Sequence, residues 1–158
     1  MEVNDKDKIE RYSRNILLPE IGGDGQDKLL KSKVLIVGAG GLGSPLIMYL
    51  AAAGVGNLTV IDHDTVELSN LQRQVIHKSN ELSKSKVESA KRFVNSLNPD
   101  VKINGIFDKL TVDNADAIIK TQDVIADGCD NFDTRYLVAD KSFENNKILV
   151  SAAITKYE

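Results

Sequence analysis

Gly38, Gly40 and Gly43 form a G-x-G-x-x-G pattern, with Gly41 as a further glycine inside it. Without a β-carbon, glycine lets the backbone approach a phosphate closely and turn sharply from a strand into a helix. The first turn of that helix adds unpaired N–H donors and the positive end of a dipole. The same pattern can serve only as a tight packing turn, so its reading depends on the residues downstream. Asp62 lies about 20 residues further on, at the end of a second apolar run. A carboxylate there can accept hydrogen bonds from both ribose hydroxyls, which fits NAD and ATP equally well. The plainer alternative is a capping or loop aspartate.

The segment Leu68-Ser69-Asn70-Leu71-Gln72-Arg73-Gln74 separates these two ligands. Amides and a permanent cation just beyond a ribose-binding strand suit a triphosphate better than a nicotinamide. Arg73 can fork onto phosphate oxygens, and Lys86, at the start of the next helix, adds a second positive charge. Taken singly, each is an ordinary solvated residue; downstream of a glycine loop they read as a phosphate clamp. A fourth group is Asp127-Gly128-Cys129-Asp130-Asn131. Mg²⁺ prefers one or two carboxylates together with phosphate oxygens and water, and Asp130 is placed to be such a ligand. Asn131 either bonds the nucleotide or caps the helix after it. Asp127 reads as a loop or cap carboxylate, and Cys129 as a small buried residue at a strand end rather than a nucleophile. His63 and His77 show no partner in the sequence and read as ordinary loop residues.

Alternating strands and helices must position these groups. Strands are expected at 34–37, 58–61, 101–106, 124–126 and 148–150, and helices at about 44–53, 83–97, 111–120 and 133–144. Gly54 is expected to stop the first of these helices, and Ser85 with Glu88 to cap the second. Repeated βα units imply an α/β, Rossmann-like fold: a mostly parallel sheet with helices on both faces. Ligands of such sheets bind outside the carboxyl ends of the strands, which selects Gly38–Gly43, Asp62 and Gly128–Asn131. Residues 1–30 are read as an N-terminal helical segment, and 31–158 as an ATP-binding domain. Because residues 155–158 come after a central-looking strand with no closing helix, the chain reads as a fragment of a longer enzyme.

Composition narrows the classes. The 158 residues carry a net charge of −3, which supplies no global basic field for nucleic acid. No segment resembles a signal peptide or is long enough to span a bilayer. The single cysteine permits neither an internal disulfide nor a cysteine zinc cluster, and it suits a reducing cytoplasm.

The stretch Arg11 to Gly22, the glycine loop, Asp62-His63-Asp64-Thr65-Val66, Leu68 to Gln74 and Asp127 to Arg135 together resemble the MoeB/ThiF/HesA family, relatives of the ubiquitin-activating enzymes. The resemblance implies ATP-dependent adenylation of the C-terminal glycine of a ubiquitin-like sulfur-carrier protein of MoaD/ThiS type, in molybdopterin or thiamine biosynthesis. It implies that Gly41 contacts phosphates, Asp62 the ribose, and Ser69, Asn70, Leu71, Gln72, Arg73 and Lys86 the phosphate chain. Asp130 would be the Mg²⁺-associated aspartate and Asn131 its nucleotide-contacting neighbour. Arg14 would reach into a partner subunit's site, implying a homodimer; its plainer reading is a solvated helix residue. Arg14, Arg73, Lys86 and Asp130 are thus the candidate catalytic residues. Full-length members also carry paired CxxC zinc ligands, which this chain lacks. Two other readings are an NAD-dependent oxidoreductase domain, sharing the glycine loop and Asp62, and a non-catalytic module that only dimerises or docks a carrier.

Overall fold

The computed structural model describes residues 6–154; the reading of residues 155–158 as an abrupt end lies outside them. Five parallel strands form one sheet in the order β3-β2-β1-β4-β5, with β1 Lys33–Val37, β2 Asn57–Ile61, β3 Lys102–Ile106, β4 Val124–Asp127 and β5 Ile148–Ser151. This is the expected α/β architecture. The strand order reverses between β1 and β4, so a crevice opens at their carboxyl ends.

β1 is central, and its side chains alternate between two cores. Val34 and Ile36 join Ile47, Val60, Val87 and Val94 on one face. Leu35 and Val37 join Ile61, Ile119, Ile125 and Val138 on the other. Such two-sided burial explains why the strand reads as an unbroken β-branched and leucine run. The helices α3 Gly43–Ala53 and α4 Lys86–Leu97 cover the first face; α5 Val112–Ile119 and α6 Phe132–Glu144 cover the second.

Local chemistry sets the ends of the helices. Gly54 closes α3 in the left-handed conformation, with φ of +83°, as expected. α4 starts at Lys86 rather than at 83, because Ser83 holds a positive φ of +66° and Ser85 caps the helix, its hydroxyl accepting from the Glu88 N–H. Asn131 caps α6 in the same way.

Two further helices, α1 Lys6–Ile16 and α2 Gly22–Lys31, precede the sheet. Buried Tyr12 accepts a hydrogen bond from Asn98 beyond α4, and buried Gln26 donates to the carbonyl of Ala53 at the end of α3. These polar contacts tie α1 and α2 to the ends of α3 and α4. Among the described residues, no helix is long and apolar enough to cross a membrane.

Candidate nucleotide site

The glycine loop leaves β1 beside the tip of β4. Gly38 has a φ of +92°, and a β-carbon on it would sit 3.1 Å from the Gly128 carbonyl. A β-carbon on Gly43 would lie 1.9 Å from the Gly38 carbonyl, so this glycine lets α3 close onto the strand. Gly40 and Gly41 differ. A β-carbon there would make only ordinary contacts, with the side chains of Gln74 and Arg73. The fold requires Gly38 and Gly43, whereas the bareness of Gly40 and Gly41 leaves space above the loop.

That space is a cleft of about 530 Å³, the size of a small-molecule site. Gly38, Gly40, Gly41, Asp62, Arg73, Lys86, Asp130 and Asn131 all line it. The structure therefore brings together the glycine loop, the β2 carboxylate, both proposed phosphate cations and the proposed metal aspartate. Gly43 lies buried beneath the loop, and Ser69, Asn70, Leu71 and Gln72 lie off the wall. The single helical turn Leu68–Asn70 instead positions its neighbours: the Asn70 carbonyl accepts from the N–H groups of both Arg73 and Gln74. Arg14 is exposed on α1, away from this cleft.

Asp62 is buried at the β2 tip. One carboxylate oxygen accepts from the Ala39 N–H at 2.7 Å, and the other from the Asp64 N–H at 2.7 Å. It thus pins the glycine loop while each oxygen keeps a lone pair for a ligand. Lys86 is buried and ion-paired to Asp64 at 2.8 Å. The hydrogen bond from Lys86 holds the Asp64 carboxyl below its ordinary range. Asp130 is exposed at the rim, and no partner among the described residues takes its carboxylate. Its donor chemistry fits Mg²⁺ shared with phosphates and water. The ligand atoms of Asp62, His63 and Asp64 also lie within 4.8 Å of one another. That group suits a cation less well, since Asp62 is engaged by backbone N–H groups and Asp64 by Lys86.

Other residues join the site beyond those given a role in it from the sequence: Asp108, Lys109 and Leu110 lie outside every motif, whereas Gln74 and Arg135 end two of them. Asp108, Lys109 and Leu110, just past β3, line the cleft. The strand-end rule finds them only when it is applied to β3 as well. Gln74 is buried on the wall, and its side-chain oxygen has no partner. Arg135 lines the cleft from α6; it donates to the carbonyls of Cys129 and Ala152 and to Ser151 Oγ, joining β4, α6 and the end of β5. Asp127 is fully engaged, accepting from the Cys129 N–H and the Ser151 hydroxyl, which agrees with a structural carboxylate. Cys129 is buried, and burial followed by the nearby Asp127 pushes its thiol up to about 12, so it stays protonated.

His77 corrects an expectation. It is no unpartnered loop residue: it is buried, with Nδ1 at 2.8 Å from Ser89 Oγ and Nε2 at 3.0 Å from the Ala39 carbonyl. No local signal marks it, because its partners lie 12 and 38 residues away.

Comparison with known proteins places these features in a group. The profile of the ThiF family matches residues 12–158. A SAMP-activating enzyme E1 of Haloferax volcanii is 47% identical over 154 residues, covering 98% of this chain and 57% of that protein. A sulfur carrier protein adenylyltransferase of Thermus thermophilus is 41% identical over 153 residues, covering 97% of this chain and 56% of that protein. The chain therefore spans a little over half the length of these two relatives. In fold it is similar to the E. coli tRNA N6-threonylcarbamoyladenosine dehydratase TcdA in complex with ATP, with a TM-score of 0.88 and 23% identity over 93% of this chain and 60% of that one.

Proposed function

The chain belongs to the ThiF family, and on that premise we propose that it is the ATP-binding part of an adenylyltransferase that activates the C-terminal glycine of a ubiquitin-like sulfur-carrier protein. One observation carries this reading: the glycine loop, Asp62, Arg73, Lys86 and Asp130, drawn from five separate segments, line a single cleft. The names of the Haloferax and Thermus relatives point the same way.

The charge on the wall fits a metal-bound nucleotide. Its carboxylates are Asp62, Asp64, Asp108 and Asp130, and its cations Arg73, Lys86, Lys109 and Arg135. The two sets balance, so a bare triphosphate would bring uncompensated negative charge. Mg²⁺ held by Asp130 would supply the missing neutralisation.

In the proposed reaction the carrier's terminal carboxylate attacks the α-phosphorus of ATP. A carboxylate–phosphorus bond forms, the bond from the α-phosphorus to the bridging oxygen breaks, and pyrophosphate leaves with the electron pair. No proton need move at the attacking oxygen, and the enzyme supplies no covalent nucleophile. The tasks of the chain are positioning and charge stabilisation. Asp62 would orient the ribose, the amides of Gly40 and Gly41 would face the phosphates, and Arg73 and Lys86 would stabilise the negative charge passing to pyrophosphate. Arg14 of a partner subunit would complete the site in a homodimer.

Exchange between ATP and labelled pyrophosphate tests this, using the enzyme with a sulfur-carrier protein ending in glycine. Wild type should exchange in a carrier-dependent manner, and Asp130→Ala should abolish exchange. Tight NADH binding without Mg-ATP binding would instead favour an oxidoreductase. Separate assays with a molybdopterin-type and a thiamine-type carrier would identify the route.

A further inference from the structure

Ala39, within the glycine loop, is held at both ends. Its N–H donates to Asp62, and its carbonyl meets His77 Nε2. His77 continues through Ser89 Oγ to Glu81, whose other oxygen pairs with Arg92 at 2.6 Å. His77, Ser89 and Glu81 are all buried.

A count of hydrogens in this chain of contacts is informative. A carbonyl only accepts, so Nε2 must carry a hydrogen. The Ser89 hydroxyl has a single hydrogen and cannot donate to both Nδ1 and Glu81. All the contacts therefore form together only if the trio holds one hydrogen more than a neutral imidazole, a hydroxyl and a carboxylate supply. With that hydrogen, Nδ1 donates to Ser89 and Ser89 donates to Glu81.

We propose that His77, with Ser89 and Glu81, is a positioning relay that seats the glycine loop and takes up a proton when an anionic nucleotide occupies the cleft. This rests on the proposed nucleotide site and adds a proton-linked support to it. The charged groups around the ring are Asp62 at the β2 tip, Glu81 before α4, Lys86 on α4 and, through Glu81, Arg92. Burial disfavours the imidazolium, the Ala39 carbonyl favours it, Lys86 disfavours it, and Glu81 and Asp62 favour it; the net shift is downward. Burial also pushes the Glu81 carboxyl up, but the bonds from Ser89 and Arg92 outweigh it and hold it below its ordinary range. The free protein thus holds the extra proton weakly. Phosphates resting on the loop add negative charge near the ring and raise its proton affinity. Nucleotide binding and protonation must then assist each other.

Calorimetric titration of the full chain with Mg-ATP, between about pH 8 and pH 5.5, tests this. Raising the proton affinity of the relay by about one unit would tighten wild-type binding by up to about tenfold as pH falls. The comparison is with His77→Gln, which keeps an amide donor for Ala39 but cannot titrate, and with Ser89→Ala, which cuts the link to Glu81. His77→Gln should lose that extra tightening, Ser89→Ala should move it to lower pH because the imidazolium loses its path to Glu81, and uncharged adenosine should not elicit it in wild type. Should His77→Gln unfold, Ser89→Ala decides, since tightening over an unshifted wild-type pH range overturns the relay. In parallel, nitrogen-15 NMR of the His77 ring should show its titration midpoint rising when Mg-ATP is added. A midpoint that Mg-ATP leaves in place, or a His77→Gln protein with the full wild-type pH dependence, overturns the relay. If wild type binds no Mg-ATP at any pH, the nucleotide site falls first and the relay with it; binding with an unmoved midpoint sinks the relay only.

Discussion

The Lys86 side chain is only 6% exposed, and its ammonium meets the Asp64 carboxylate at 2.8 Å, which offsets the cost of burying the group. The pair also conceals the cation from a simple reading of the cleft, since a phosphate must compete with Asp64 for it. Lys86→Met should therefore weaken Mg-ATP binding by about tenfold or more, the loss of a hydrogen bond to a charged group being about 1.5–3 kcal/mol. Asp64→Asn should keep binding, because it removes the competitor for the ammonium. Calorimetry on both variants checks this; an equal loss in both would mean that the ion pair, rather than the free cation, shapes the site. The depressed Asp64 carboxyl gives the pair its pH sign: it contributes at neutral pH and is lost as pH falls through the lowered folded value. Cys129 obeys the opposite logic. With its thiol pushed up to about 12, it should resist iodoacetamide at pH values near 8.5, where an unperturbed cysteine is half ionised. Mass spectrometry should find the native chain unmodified under conditions that label the urea-unfolded chain.

The ends of helices perform two tasks at once here. Asn131 accepts from the Thr134 N–H at 2.9 Å, which caps α6, and it also lines the cleft. The cap and the nucleotide contact are therefore compatible, since the cap uses the side-chain oxygen and leaves the amide hydrogens for a ligand. Asn131→Asp should preserve the cap and the melting temperature while weakening Mg-ATP binding. Asn131→Ala should lose the cap as well, at a cost of about 1 kcal/mol. Thermal unfolding and nucleotide titration read these effects separately; unchanged binding in Asn131→Asp would leave the residue as a cap only. Most elements are legible in the sequence because their signals are local: β-branched runs, apolar residues at helical spacing, a glycine just past a helix end. The start of α4 is less so. It lies at Lys86 rather than at 83, because Ser83 takes a backbone conformation that its side chain does not announce.

At the scale of the whole molecule, Arg14 separates two readings. It is exposed on α1 and does not line the cleft of its own chain, so within one subunit it has no part in the proposed chemistry. If a partner's Arg14 completes each site, a mixture of Arg14→Ala and Asp130→Ala enzymes should exchange pyrophosphate although neither does so separately. Mixed dimers would contain one site with both residues intact. A mixture as inactive as its parents, under conditions where subunits are shown to exchange, would assign Arg14 to the surface. The strands, the glycine turn and the carboxylate beyond it are legible in the chain alone, for these depend on residues close together. The chain also carries the groups whose types suit a triphosphate. That Lys86 is paired with Asp64, that the β3 tip joins the wall and that His77 holds Ala39 emerges only once the elements pack together. Periodicity tells which face of an element is apolar, but not which element lies opposite. The order β3-β2-β1-β4-β5 supplies that pairing, and it turns separate polar residues into one cleft.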